Sequence, residues 1–163
     1  MAVSTIDGTI EEAVIKSSRM NIRIYRQIRF RLRDGTETIV TKPIADAKVA
    51  ALLQPGASGR FYMFKAPDHK GVHGIRDDQG HEVWEFPRNN EKAMLVIMIV
   101  AGLISALMLT FGLFSGWLII ALGISIPFFF ILRSLRTQAR AQFDADGGYR
   151  PPAAAAAAQP AGS

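Results

Sequence analysis

The sequence predicts a membrane protein with a small, mostly β domain, an OB-like or SH3-like barrel, followed by a hairpin of two transmembrane helices. Three observations predict this class. Residues 93–132 form a stretch of 40 residues without a charged side chain. The segment before it alternates apolar and polar residues and is interrupted by one short helical pattern. Basic residues flank the apolar stretch on both sides, whereas its centre carries none.

The length of the apolar stretch predicts two membrane spans. A bilayer core about 30 Å thick is crossed by about 20 helical residues. Residues 93–132 have twice this length, which predicts spans at about 93–113 and 117–132. We expect the turn at Ser115–Gly116, with Trp117 at the boundary between lipid and water.

The flanking charges predict the orientation of the hairpin. Arg88 and Lys92 precede the first span, and Arg133 and Arg136 follow the second. Because cytoplasmic flanks carry an excess of Lys and Arg, both termini are expected in the cytoplasm of a bacterial-type cell, with the hairpin in the inner membrane. The first residues lack a basic segment followed by an apolar one, so we expect no signal peptide to export the front domain.

The segment after the hairpin is expected to be simple. Residues 133–146 can extend the second helix beyond the membrane. Residues 147–163 are rich in Ala, Pro and Gly, and such a composition favours disorder because it offers little apolar surface to bury.

The clearest strand outside the apolar stretch is Asn21–Arg33. Its even positions are mostly apolar and its odd positions carry mainly arginine, so a period of two predicts one buried face. The apolar positions are Ile22, Ile24, Ile28, Phe30 and Leu32. Arg26 is the single even position that breaks the pattern.

The remaining elements complete a domain over residues 1–88. Asp34–Gly35 predicts a two-residue hairpin turn, and Pro55–Gly56 is expected to end the one helix. The other predicted strands are Gly8–Ile15, Glu37–Thr41, Arg60–Ala66, Val72–Arg76 and His81–Phe86, and the helix is Ala45–Leu53. A helix between the third and fourth strands is typical of an OB-like barrel. An SH3-like barrel or a curled sheet with one helix would give nearly the same pattern.

The odd positions of the second strand predict a surface that binds anions. Its candidate residues are Arg23, Tyr25, Arg29, Arg31 and Arg33. One interpretation is a solvated face near an anionic membrane leaflet, where each basic residue gains about 1 kcal/mol. The other is a site for single-stranded nucleic acid, in which the arginines contact phosphates and Tyr25 stacks on a base. We favour the first interpretation because only one aromatic residue is present.

Composition and motifs give no indication of catalysis. The chain has no cysteine, which excludes disulfides and thiol chemistry. His69, His73 and His81 do not have the spacing of a metal-binding motif, and the signatures of hydrolases, nucleotide-binding loops and dinucleotide-binding folds are absent. We therefore expect no catalytic, cofactor or metal site.

Small residues four apart within the spans predict close helix packing. The pairs are Gly102 with Ala106, Gly112 with Gly116, and Ala121 with Ser125. They fit either packing within one hairpin or self-association of several copies. Because the spans contain no charge, a channel or carrier acting alone is disfavoured.

Together these patterns predict an integral inner-membrane protein. Its cytoplasmic β domain is expected to act as a non-catalytic interaction, scaffold or regulatory module. Its expected partners are the lipid bilayer and a membrane protein or a second copy of the chain. The alternative is a membrane-tethered domain that binds single-stranded nucleic acid.

Overall fold

The fold is known from a computed structural model that describes residues 2–19, 21–112 and 116–149. The chain divides into two compact units. One contains Met1–Pro87 together with Gln138–Ser163, and the other contains Arg88–Thr137.

The elements of the two units follow one another with short connections. In chain order they are β1 (Ala2–Arg19), β2 (Ile22–Leu32), β3 (Glu37–Thr41), β4 (Pro43–Asp46), α1 (Ala47–Leu52), β5 (Ser58–Lys65), β6 (Lys70–Asp77), β7 (Glu82–Trp84), α2 (Asn89–Thr110) and α3 (Gly116–Ala145).

The first unit is a closed β-barrel of five strands, as the sequence predicted at this level. Around the ring, β1 pairs with β5, β5 with β6, β6 with β4, β4 with β2, and β2 again with β1. The β4–β6 pair is parallel, whereas the other pairs are antiparallel. Two short strands extend the ring, since β3 pairs with β2 and β7 pairs with β6.

The long strand β1 closes the barrel because it pairs with a different neighbour along each half. Residues 2–9 pair with β5, and residues 8–19 pair with β2. Gly8 lies at the crossing and faces both Leu32 and Gly59. A Cβ atom at Gly8 would lie 2.2 Å from the carbonyl oxygen of Arg31, so only glycine permits this close approach of the two backbones.

The barrel interior is filled by apolar side chains from all five ring strands and α1. Phe30 and Phe61 pack with ring centroids 5.0 Å apart. Val49 on α1 is fully buried among the strand residues. The core also contains Ile10, Tyr25, Ile28, Val40, Ala45, Ala50, Leu53, Met63, Val72 and Ile75.

The alternation predicted for β2 holds only in its second half. Ile28 and Phe30 are buried as expected. Val14 pairs with Gln27 and Ile15 with Tyr25, so Arg26 has no partner on β1 and forms a β-bulge. Because the bulge adds one residue to β2, the side chains before it point to the opposite side of the sheet from the predicted one. Tyr25 therefore lies in the core, not beside the exposed arginines.

Several predicted boundaries differ because neighbouring strands recruit additional residues. β1 begins six residues before the predicted Gly8–Ile15 strand, since β5 pairs with its start. The predicted helix Ala45–Leu53 begins at Ala47, because Ala45 belongs to β4 and pairs with both β2 and β6. Asp46 caps this helix by accepting a hydrogen bond from the Lys48 amide at 3.1 Å.

The turn between β2 and β3 has three residues and not two. The Leu32 amide donates to the carbonyl of Thr36, which encloses residues 33–35. Gly35 adopts φ 85°, and Asp34 accepts hydrogen bonds from the amide and hydroxyl of Thr36. This is a hairpin loop in which glycine supplies the left-handed position.

The second unit contains α2 and most of α3, two helices long and apolar enough to cross a membrane. Many of their large apolar side chains are exposed, including Leu103, Leu107 and Ile124. Pro127 lies inside α3. The predicted turn includes Ser115, which lies outside the described residues, as does most of the predicted disordered tail 147–163.

Candidate interaction surface

The exposed arginines of β2 are paired with carboxylates on both sides of the strand. Arg29 contacts Glu12 at 3.4 Å. Arg31 forms ion pairs with Glu11 and Glu37. These pairs connect β2 to β1 and β3, and each partly cancels a positive charge. The outer face of β2 is therefore a ladder of opposite charges, which attracts an anionic surface less strongly than unpaired arginines would.

Two predicted members of the surface lie apart from this ladder. Arg33, the first residue of the turn after β2, pairs with Asp78 at 3.5 Å and donates to the hydroxyl of Tyr149. Arg23 lies on the other side of the bulge, close to Tyr25. Arg29 and Arg31 thus share one ladder of ion pairs, whereas Arg23 and Arg33 have different neighbours.

Tyr25 cannot stack on a base in this arrangement. Its side chain is 1% exposed, and its hydroxyl donates to the carbonyl oxygen of Ala50 at 3.4 Å. Burial raises the pKa of the Tyr25 phenol, an effect that the nearby Arg23 partly offsets. Its contacts are those of a core residue that joins β2 to α1.

A second surface, which the sequence did not indicate, lies on β5 and β6 and is covered by residues 138–149. We call this covering stretch the docked segment. Phe143 is its central anchor, because its ring packs edge-on against Tyr62 at 4.9 Å and is 6% exposed. Gly74 makes room for it: a Cβ there would lie 2.8 Å from Cδ2 of Phe143. Ala139, one helical turn earlier, is fully buried.

Arg76 fixes the anchor from the β6 side. Its guanidinium lies 4.3 Å from the centroid of the Phe143 ring, and its Nη2 donates to the Phe143 carbonyl at 3.1 Å. It also forms an ion pair with Glu82 on β7. The two terminal nitrogens of this nearly buried cation thus have a carboxylate and a carbonyl at the helix end as partners, and the guanidinium lies over a ring face.

Asp146, just beyond α3, forms the polar end of the docked segment. Its Oδ2 accepts hydrogen bonds from the Tyr62 hydroxyl at 2.6 Å and from Arg60 Nη1 at 2.7 Å. Arg60 in turn holds Asp7 through two bonds of 2.7 Å. The arginine therefore links β1, β5 and the docked segment by charge-assisted hydrogen bonds, which are stronger than neutral ones.

These contacts change the proton affinities of the groups involved. Burial alone would raise the pKa of Asp146, but the hydrogen bonds from Tyr62 and Arg60 outweigh it and leave the pKa lowered. Burial and the bond to Asp146 both raise the pKa of the Tyr62 phenol. At neutral pH the carboxylate is ionised and the phenol is protonated, as this hydrogen bond requires.

Near each end of the docked segment, one cation–aromatic contact adds to its packing on the barrel. Arg140 lies 4.7 Å from the centroid of the Trp84 ring on β7. Arg60 lies 4.4 Å from the centroid of Tyr149. The sequence held one signal for this docking: Ala139 and Phe143 recur four residues apart in a stretch whose other residues are polar or small. That signal identifies a helical face but not the surface that it covers.

The three histidines lie in separate places. His73 is fully buried beneath the rings of Tyr62, Phe64 and Phe86, and this burial lowers its pKa from 6.5 to about 4. His81 contacts Asp77 at 2.7 Å, and His69 contacts Asp68 at 2.6 Å. Among the described residues, no group of three or more histidines and carboxylates is placed to hold a metal ion.

Comparison of this chain with protein-family models, with curated proteins and with solved structures finds no match.

Proposed function

We propose that this chain is an integral inner-membrane protein, anchored by α2 and α3 with both termini in the cytoplasm. The exposed apolar surface of the hairpin carries this proposal. Leu103 is 68% exposed, Leu107 60% and Ile124 62%. Apolar patches of this kind on a water-soluble protein would drive aggregation, whereas lipid tails cover them without cost.

The distribution of charge supports the orientation. Residues 1–87 carry 13 basic and 11 acidic residues, so the barrel has a net charge of only +2. Residues 88–137 carry Arg88, Lys92, Arg133 and Arg136 against Glu91 alone, a net charge of +3 in a shorter and mostly apolar stretch. The surplus is thus concentrated where both helices would enter the cytoplasm.

The barrel is proposed to be an OB-type module that binds a protein partner without catalysis. The features that support OB-type architecture are the five-strand ring, the parallel pair that closes it and the helix between β4 and β5. The edge strand β3 gives the partner a place to bind. Within the described part of the chain, β3 pairs only with β2, and its Ile39 is 51% exposed. A partner strand can pair with such an edge.

Nucleic-acid binding has less support than protein binding. The base-stacking residue that it requires, Tyr25, is in the core. Arg29 and Arg31, which would contact phosphates, already have carboxylate partners. We therefore propose protein binding as the role of the barrel.

The membrane orientation is tested by single cysteines, since the chain contains none of its own. Ser115→Cys, Ser18→Cys and Ser163→Cys are expressed separately in the full chain, and spheroplasts are treated with a membrane-impermeant maleimide. We expect Ser115→Cys to react in intact spheroplasts and the other two only after permeabilisation. Reaction of just one of the two terminal positions in intact spheroplasts would show a single span and contradict the hairpin.

Partner binding is tested by capture from detergent-solubilised membranes with the full chain. Ile39→Asp places a charge on the β3 edge, and Ile15→Asp makes the same change at a position that is also 51% exposed. We expect a captured protein to be lost with Ile39→Asp and retained with Ile15→Asp. Equal capture by both variants would exclude the β3 edge as the binding site.

A further inference from the structure

The start of α2 and the middle of α3 line a basic cavity of about 240 Å³. We call it the hairpin-base cavity. Its basic residues are Arg88 and Lys92 at the start of α2, and Arg133 and Arg136 on α3. Leu95 and Phe129 line the cavity on the side of the apolar spans. Leu95 lies about one helical turn after Lys92, and Phe129 lies about one turn before Arg133, so both are closer to the centres of the spans. The cavity therefore has a basic rim and an apolar floor.

Among the residues that the structure describes, a carboxylate neutralises only one of the four cations in this cavity. Arg136 pairs with Glu91 at 3.2 Å. Within the described part of the chain, Arg88, Lys92 and Arg133 form no ion pair. This differs from β2, where Arg29 and Arg31 face carboxylates. An anion that enters the hairpin-base cavity therefore meets unpaired cations, together with the positive end of α2.

Glu91 supplies a second, independent indication of a bound group. The residue is only 8% exposed, and its Oε2 atom is buried without a hydrogen-bond partner among the described residues. A buried acceptor without a donor is energetically unfavourable, because it has lost its hydrogen bonds to water without replacement. A ligand that carries a hydrogen-bond donor beside its negative charge would satisfy both Glu91 and the free cations.

We propose that the hairpin-base cavity binds the headgroup of an anionic phospholipid. Arg88, Lys92 and Arg133 contact its phosphate, a headgroup hydroxyl donates to Glu91 Oε2, and the start of an acyl chain lies against Leu95 and Phe129. This rests on the proposed membrane insertion, because only an inserted hairpin places the cavity at headgroup depth. Basic pockets between helices on the cytoplasmic side have the required chemistry.

The proposal is tested with the full chain purified in a neutral detergent. Phosphatidylglycerol is titrated in, and retained lipid is counted by native mass spectrometry, with phosphatidylcholine, glycerol phosphate and inorganic phosphate as competing probes. The site variant is Lys92→Gln with Arg133→Gln. The matched control, Lys16→Gln with Arg19→Gln, removes the same charge from exposed barrel positions.

We expect the site variant to bind phosphatidylglycerol about 30-fold more weakly than the parent, from two basic contacts of about 1 kcal/mol each. The control should bind as the parent does. A charge-preserving exchange, Lys92→Arg with Arg133→Lys, should retain the selectivity for phosphatidylglycerol over phosphatidylcholine. This exchange alters the same two side chains but keeps their charge, so it separates the effect of lost charge from that of misfolding. Equal binding of phosphatidylcholine, or equally tight binding of inorganic phosphate, would overturn the proposal of a lipid site.

Failure of this inference is distinguishable from failure of the proposed function. The Ser115→Cys reporter, placed in the site variant, reads membrane insertion separately from lipid selectivity. Normal labelling with unchanged phosphatidylglycerol affinity would refute the lipid site alone. Abnormal labelling of the otherwise unchanged parent chain would refute the membrane hairpin itself.

Discussion

Replacing Phe143 by alanine should release the docked segment from the barrel. The ring is 6% exposed and packs between Tyr62 and the guanidinium of Arg76, above the space that Gly74 leaves open. A buried Phe covers roughly 150–250 Å², which at about 25 cal/mol per Å² gives about 4–6 kcal/mol for complete burial, an upper bound. Because the cavity at a protein surface can partly collapse or fill with water, we expect a loss of about 3 kcal/mol.

Hydrogen exchange measures this loss where it occurs. In the full chain, kept in detergent, the amides of residues 138–149 should exchange about 100-fold faster in Phe143→Ala, unless exchange first reaches the rate of an unprotected chain. The barrel amides of β1 and β2 should change little. The control is Phe130→Ala, which makes the same truncation in α3 at a side chain that is 59% exposed. Unchanged protection of residues 138–149 in Phe143→Ala would refute the anchoring role of this ring.

Two further predictions concern the charged and buried groups of the barrel. Asp146→Asn should destabilise the docked segment by about 1–3 kcal/mol, because Arg60 and Tyr62 lose a charged acceptor. The control is Asp144→Asn, which removes an exposed ion pair with Arg140. It should cost under about 0.5 kcal/mol. Thermal unfolding decides this, and equal effects of the two variants would contradict the network. The pKa of His73 in the folded chain is about 4, below its ordinary value of 6.5. Between these two pH values the unfolded chain therefore binds more protons than the folded chain does. The free energy of unfolding should fall by about 3 kcal/mol as the pH drops from 6.5 to 4. His73→Phe should remove this part of the pH dependence of the melting temperature, and an unchanged slope in the variant would assign it to other groups.

Local patterns in the sequence were sufficient for the elements that depend on near neighbours. The two long apolar helices follow from the length of the uncharged stretch 93–132, since the span of a helix depends only on its residue count. The strand Glu37–Thr41 and the hairpin at Asp34–Gly35 follow from alternation and from a glycine that tolerates positive φ. The burial of Ile28 and Phe30 follows from the same alternation.

The facing of Tyr25 could not be read from β2 alone. Arg26 broke the alternation in the sequence. An arginine at an apolar position is compatible with a regular strand that has one polar residue on its apolar face, and equally with a β-bulge. Only the pairing of β2 with β1 decides between them, because a bulge is a mismatch in residue number between two strands. One inserted residue then moved Tyr25 from the predicted surface to the core.

What the sequence by itself determined, therefore, is the barrel and the two long apolar helices as separate elements, and the excess of positive charge that flanks these helices. The tertiary structure alone decided that residues 138–149 cover β5 and β6, since the bond from Tyr62 to Asp146 joins positions 84 residues apart. It also decided which cations are neutralised: Arg29 and Arg31 by carboxylates on adjacent strands, but not Lys92 and Arg133 by any described residue. Charge is a property of each residue, whereas its neutralisation depends on distances that only the folded chain fixes.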